Sequence, residues 1–304
     1  MREQARGLAT ALAADAEARV VQVSRYWGLG LPALVGLGPP AVTAVVGRLE
    51  PPWPDVLVSC GRRSALVAMA IRRHNRAPMV MVHIQPPTYP KAFDLVVAMA
   101  HDGLRGANVM QIDTALHGVR GPALSAAAAR GDPRFAGLPR PWTGVLLGGA
   151  THRAPFEPAD AQRLADQLEA LRRRIGGSLL ITPSRRTPAK VVAALEARYR
   201  ADRTVCIWDG ELPNPYLPIL ALSDRLVVTS DSVSMISEAL ATTAPVSIFR
   251  LSGSPRHARF VDNLLANNLA VTLEDPRPPP ARAAIDATPR VVATVRRLLS
   301  EASR

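Results

Sequence analysis

The chain has 304 residues, enough for two domains that each bury a core. Its 48% hydrophobic and 20% charged residues exclude bulk disorder, which needs fewer apolar and more charged residues. Thirty-seven basic against 25 acidic residues leave a net charge of +12, carried almost wholly by arginine; this favours anionic partners, while 4% aromatics argue against nucleic acid, whose binders interleave stacking rings with the basic residues.

In chain order, a helical pattern runs from Arg2 to Ala14, with Leu8 and Leu12 on one face. No strand precedes it, so the first strand of the N-terminal domain is expected to be missing or the start to be assigned late. A strand is predicted at Val20 to Ser24. From Tyr26 to Gly47 there is no charge, but Pro32, Pro39 and Pro40 together with Gly28, Gly30, Gly36 and Gly38 would interrupt a spanning helix, so an apolar loop with a short helix is expected. That segment, 26–47, is a candidate for peripheral contact with a membrane, or it packs on its own domain. The predicted strands Val56 to Cys60, Met79 to Ile84, Leu95 to Met99 and Asn108 to Ile112 follow, with a helix at Ser64 to His74. The Pro/Gly-rich stretch 130–141 reads as a linker.

Beyond it, strands are predicted at Thr143 to Leu147, Ser178 to Thr182, Thr204 to Trp208, Arg225 to Thr229, Val246 to Phe249 and Ala270 to Leu273. Helices are predicted at Pro158 to Ile175, Pro188 to Arg200, Ser232 to Thr242 and Arg256 to Asn267, and a last one from about Ala281 to Leu299. Short β-branched runs alternating with helices mean βα units and parallel sheets, hence an α/β class. The expected division is 1–138, 139–280 and a C-terminal helix, 281–304, that crosses back to the first domain.

Ligands of open parallel sheets bind at the carboxyl ends of the strands, so the loops there carry the candidate chemistry. Four polar loops qualify in the second half: Gly148-Gly149, Ser184-Arg185-Arg186, Asp209-Gly210, and Ser230-Asp231-Ser232 with Ser234 and Glu238 on the helix that follows. Arginine grips two phosphate oxygens at once, and a helix amino terminus presents free N–H groups to an anion. Capping by Asp231 or Ser232 is the plainer account of the last loop, and an ordinary turn that of the others. In the first half, His83, His101 and Asp102 follow strands and are candidates for acid–base work on a hydroxyl acceptor, or are structural residues. Cys60 and Cys206 lie in apolar runs without metal-ligand spacing, so neither a disulfide framework nor a metal centre is expected. There is no P-loop, GxSxG, HExxH or complete GxGxxG, which argues against an ATPase, a serine hydrolase, a zincin and a typical dinucleotide enzyme.

The order Cys60-Gly61-Arg62-Arg63, His83-Ile84-Gln85-Pro86, Phe93-Asp94-Leu95-Val96-Val97, His101-Asp102, Leu147-Gly148-Gly149, Thr182-Pro183-Ser184-Arg185-Arg186-Thr187, Asn214-Pro215-Tyr216 and Thr229-Ser230-Asp231-Ser232 with Glu238-Ala239 resembles the plant mitochondrial-fission "elongated mitochondria" family and its bacterial relatives, over nearly the whole chain. That family is in turn similar to GT-B glycosyltransferases. The resemblance implies two Rossmann-like domains facing across a cleft, and a nucleotide-sugar as donor substrate rather than a cofactor. It also implies a diphosphate near Ser230, Ser232 and Ser234 and a ribose near Glu238. Asp231 stands where many such enzymes have a small neutral residue. A carboxylate there repels a diphosphate, so Asp231 is expected to turn away or the donor to differ.

The resulting expectation is a cytoplasmic, bacterial, metal-independent glycosyltransferase acting on an unknown acceptor and peripheral to the inner membrane, with Arg185 stabilising the leaving diphosphate. A non-catalytic recruitment protein that retains the fold is the alternative. A nucleotide-sugar epimerase is disfavoured by the missing glycine fingerprint and Tyr-x-x-x-Lys pair.

Overall fold

The computed structural model describes residues 2–13, 15–23, 42–44, 49–150, 155–211, 213–253 and 255–302. By its internal contacts the chain forms two units, Met1–Gly118 with Ala287–Arg304, and Val119–Asp286.

The first unit holds a four-stranded parallel sheet in the order β3 (Val56–Cys60), β4 (Val80–Ile84), β5 (Leu95–Met99), β6 (Val109–Ile112). The two central strands are buried along their whole length, which is why both read as continuous apolar runs. Helix α1 (Arg2–Leu12) packs on β3 and on α9 (Thr288–Ala302), and α9 also packs on β4. Helix α2 (Arg62–His74) buries Ala65, Leu66, Val67, Ala68, Ala70 and Ile71 in a core shared with Met81, Phe93 and Val96. The strand predicted at 20–24 is β1 (Val21–Val23). It pairs antiparallel with β2 (Val42–Ala44), apart from the parallel sheet. So 42–44, expected in a loop or helix, forms a strand; the rest of the apolar segment 26–47 lies outside the described residues. The last helix starts at Thr288 rather than Ala281; Arg282, in the expected first turn, instead donates to the carbonyls of Leu240 and Thr242.

The second unit is a six-stranded parallel sheet, β12-β11-β10-β7-β8-β9. Its strands are β7 (Trp142–Leu147), β8 (Ser178–Pro183), β9 (Val205–Ile207), β10 (Arg225–Thr229), β11 (Val246–Phe249) and β12 (Val271–Thr272). Counted from β7, this is the doubly wound order 3-2-1-4-5-6 of a Rossmann-like domain.

Helix α4 (Pro158–Ile175) opens with a capping box between Glu157 and Asp160 and a proline in its first turn. It buries Ala161, Leu164, Ala165, Leu168 and Leu171, one helical stripe, against Val145, Leu179 and Ile181. Gly177 follows with φ 83°, and a side chain there would meet the Pro141 carbonyl oxygen at 1.8 Å, so only glycine lets β8 start beside β7. Helix α5 (Ala189–Tyr199) joins β8 to β9, and α7 (Val233–Leu240) and α8 (Pro255–Ala266) follow β10 and β11. Two helices went unpredicted: α3 (Gly121–Arg130) and α6 (Tyr216–Leu222), which pack on each other. Their contact puts residues 119–138, expected in the first domain, into the second unit.

Candidate functional site

In this strand order the chain reverses direction between β7 and β10: the crossovers from β7 and β10 run toward opposite edges of the sheet, so the loops after these two neighbours part and leave a crevice. The loop after β7 is Gly148-Gly149, and the loop after β10 is Ser230-Asp231-Ser232.

Thr229, wholly buried at the end of β10, accepts the Gly148 amide on its hydroxyl at 2.8 Å. Asp231 Oδ2 accepts the Gly149 amide at 2.6 Å. Asp231, expected to turn away from a diphosphate unless the donor differs, points into the rim and receives the Gly149 amide. Its residue exposure is 5%, and among the described residues its Oδ1 has no hydrogen-bond partner. Burial raises the carboxyl above the ordinary aspartate range; the Thr229 hydroxyl, the Gly149 amide and the charge of Arg186 oppose that rise. The fit is close enough that a Cβ on Gly148 would lie 2.1 Å from Asp231 Oδ2, and one on Gly149 would lie 2.3 Å from Arg186 Cβ.

The loop after β8 meets the same point. The Ser184 hydroxyl donates to the Gly148 carbonyl at 2.9 Å and accepts the Arg186 amide at 3.3 Å. Thr187 donates to the carbonyls of Leu147 and Gly148 and accepts the Ser184 amide. Ser184 thus shapes the turn, whereas Arg185 and Arg186 are exposed.

Ser230 joins this rim to the chain after β11, accepting the Leu251 amide at 2.9 Å. Ser232 caps α7, accepting the Met235 amide at 3.4 Å, and Ser234 is half-buried in the first turn. Over a turn further on, Glu238 accepts the hydroxyl of Tyr216 at the start of α6. Burial, then the Glu238 charge, hold the Tyr216 phenol well above its ordinary pKa. Asn214 Oδ1 in turn accepts both the Tyr216 amide and the Thr182 hydroxyl at 2.9 Å, tying α6 to the end of β8. Asp209 lies apart from the switch point. It closes its own turn by accepting the Glu211 amide at 3.0 Å, and with Pro183, Ser184, Thr187 and Trp208 it edges an open groove of about 410 Å³.

One neighbour escaped the sequence reading. His257, on α8, is close enough for Asp231 to raise its pKa, although burial, Arg256 and Arg186 together pull the imidazole below its ordinary value. The signal was available, since the loop after β11 ends at the same carboxyl edge as the four loops weighed.

The acceptor-side candidates belong to the first unit. His83 is wholly buried in β4, with Nδ1 at 2.8 Å from the Ser59 hydroxyl and its ring 4.8 Å from that of Phe93. Burial lowers it to about 4, and among the described residues Nε2 has no partner. An interior imidazole of this kind does not reach a substrate, so His83 is a core residue rather than a base. His101 and Asp102 share a 3-10 turn, Ala100–Asp102, with Nε2 and Oδ1 3.6 Å apart and side chains only 3% and 5% exposed. Among the described residues no cluster of His, Cys, Asp and Glu suits a metal ion, and no helix is long and apolar enough to cross a membrane.

The family described as Mitochondrial fission ELM1 matches residues 1–299. The Mitochondrial fission protein ELM1 of Arabidopsis thaliana is 32% identical over 223 residues, covering 66% of this chain and 52% of the plant protein. The chain thus spans about half the length of that relative. The Uncharacterized protein RP120 of Rickettsia prowazekii (strain Madrid E) is 24% identical over 254 residues, covering 71% of each chain. Among solved structures, the UDP-GlcNAc 2-epimerase of Methanocaldococcus jannaschii aligns with TM-score 0.48 at 9% identity, covering 81% of this chain and 77% of that one. MurG of Acinetobacter baumannii aligns with TM-score 0.43 at 13% identity, covering 82% and 68%.

Proposed function

The chain belongs to the Mitochondrial fission ELM1 family, and from that premise we propose that its second unit binds the diphosphate of a nucleotide-sugar and that the protein transfers the sugar to an acceptor. One observation carries this reading: the loops after β7, β8 and β10 interlock at the switch point of a 3-2-1-4-5-6 sheet, beside the amino terminus of α7. That is where doubly wound sheets hold anionic ligands. In this reading Arg185 and Arg186 reach the diphosphate from their exposed loop, Ser234 and the first turn of α7 supply further donors, and Glu238, with Tyr216 behind it, accepts from a sugar hydroxyl. Arginines and the helix dipole then offset the charge of the leaving diphosphate, a task a divalent ion performs in other enzymes. In the first unit, the His101–Asp102 pair is the remaining acid–base candidate.

Calorimetric titration with uridine, guanosine, adenosine and thymidine diphosphates tests the donor site. Binding of at least one, weakened in Glu238→Ala, is the expected result; no binding by any of them removes the reading. One feature favours the alternative, a recruitment protein that only retains the fold: the Gly149 amide is already taken by Asp231. That alternative predicts silence throughout the nucleotide panel and partner capture that depends on segment 26–47. The same segment carries the proposed contact with a membrane surface, for which flotation with anionic liposomes is the test.

A further inference from the structure

The switch point contains its own anion. The Gly149 amide, which the donor reading turns toward a phosphate, donates to Asp231 Oδ2 at 2.6 Å, and the carboxylate lies against Gly148 so closely that no side chain fits there. The charge of Arg186, in the loop after β8, acts on Asp231 as a minor favourable influence. A phosphate arriving at this rim therefore meets a buried negative charge and draws on the same Arg186 charge. Such a charge is costly to keep beside a second anion, since like charges a few ångströms apart repel strongly where water is excluded.

The carboxylate has a simple way to relieve this. Oδ2 is held by the Gly149 amide, whereas Oδ1 is buried and has no hydrogen-bond partner among the described residues, so a proton taken from solvent onto Oδ1 removes the charge without breaking the clamp. We propose that Asp231 couples diphosphate binding to the uptake of one proton on its own carboxyl group, so that the site takes its ligand more tightly as pH falls. This deepens the donor-site reading and rests on it. The resting state is consistent with the coupling, because burial already pushes Asp231 upward in pKa, and a bound diphosphate that draws Arg186 away pushes it further in the same direction. Among the described residues, the ionisable groups facing Asp231 are Arg186 from the loop after β8 and His257, with Arg256 beside it, from α8. His257 is a second possible proton acceptor, and the experiment separates the two.

The test is titration of the full chain with each of the four nucleoside diphosphates, in two buffers of different ionisation enthalpy near pH 7. Wild type, Asp231→Asn and His257→Gln are compared, with affinities also measured near pH 8 and pH 6. Asparagine keeps an oxygen for the Gly149 amide and removes the charge. The expected results are uptake by wild type of up to about one proton beyond the ligand's own, affinity about tenfold higher at the lower pH, and a similar gain at pH 8 in Asp231→Asn, which has lost the excess uptake. His257→Gln retains the uptake. Binding by wild type with no excess uptake, uptake that survives in Asp231→Asn and vanishes in His257→Gln, or weaker binding by Asp231→Asn overturns the coupling and leaves the donor site standing. Absence of binding by wild type and Asp231→Asn alike overturns both. Should Asp231→Asn fail to fold, the proton counts of wild type and His257→Gln decide.

Discussion

Gly149 donates its amide to the carboxylate of Asp231, a residue 82 positions further along the chain, at 2.6 Å. The bond crosses from the end of β7 to the end of β10 and fastens the two sides of the switch point together. Its neighbours leave it no slack. Gly148→Ala would drive a methyl group into the Asp231 carboxylate, whereas Gly149→Ala would drive one into the backbone of Arg186. A buried carboxylate can rotate at some cost, but backbone moves only with its whole loop. The expected losses of stability are roughly 1–3 kcal/mol for Gly148→Ala and more for Gly149→Ala. Urea titration of the two variants checks the order, and equal or negligible losses would contradict the packing.

Tyr216 and Glu238 form the second tie of the rim, between α6 and α7. A phenol hydroxyl donating to a carboxylate is a charge-assisted bond, so its two ends should not act independently. In a double-mutant cycle of Tyr216→Phe and Glu238→Gln, the coupling energy is expected to be about 1–2 kcal/mol. Nucleotide affinity measured on the same four proteins separates the roles: Tyr216→Phe should leave Glu238 less well placed and lower affinity by a smaller factor than Glu238→Gln. Full additivity in stability would mean that the bond contributes nothing.

Every strand of both units except β2, and most helices, were legible because each is a short β-branched run between turn residues or a clear helical stripe, as in β10 and α4. Helices α3 and α6 were not. Pro122 in the first turn of α3 and Pro215 and Pro218 at the start of α6 read as breakers, although proline is tolerated where the N–H has no partner inside the helix. At the site, Gly148-Gly149 and Ser230 to Ser232 stood out as strand-to-helix turns. That Asp231 receives the Gly149 amide was beyond reach, because it depends on β10 lying beside β7. Placing β10 there is a matter of tertiary pairing, which no local pattern encodes. The same limit applies to His83: its position after an apolar run fits a cleft residue or a core residue equally, and only the buried sheet decides.

Arg282 supports α7 from its far end. Its guanidinium donates to the carbonyls of Leu240, Thr242, Ala283 and Ala244 at 2.7, 2.8, 3.1 and 3.1 Å, three of which belong to the last residue of α7 and the turn after it. Burial lowers the Arg282 pKa, yet arginine keeps its charge, which suits the negative end of a helix dipole. Arg282→Ala strands those carbonyls and should cost about 2–4 kcal/mol. Arg282→Lys, a point charge without the planar fork, should recover only part of it. Thermal midpoints of the three proteins in one buffer are the measurement, and an alanine variant as stable as wild type would show the carbonyls to be satisfied by water.

His83 makes the stability of the first unit depend on pH. Its pKa is lowered from 6.5 to about 4 because the imidazole is wholly buried, and a proton on it would have to be accommodated inside the sheet. In the unfolded chain the ring binds a proton as pH falls through its ordinary value, while in the folded chain it stays neutral until about 4. The unfolded state therefore holds more protons in this window, and stability contributed above pH 6.5 is lost progressively down to about 4, to a total of about 3 kcal/mol. Below that value both states are protonated and the loss levels off. Replacing the ring with a non-titrating one of similar size, His83→Phe, gives up the bond to Ser59. It should lower stability near pH 7 yet flatten the slope between pH 6.5 and about 4, and urea titrations of wild type and variant across that window read both effects. An undiminished slope in the variant would assign the acid sensitivity to other groups.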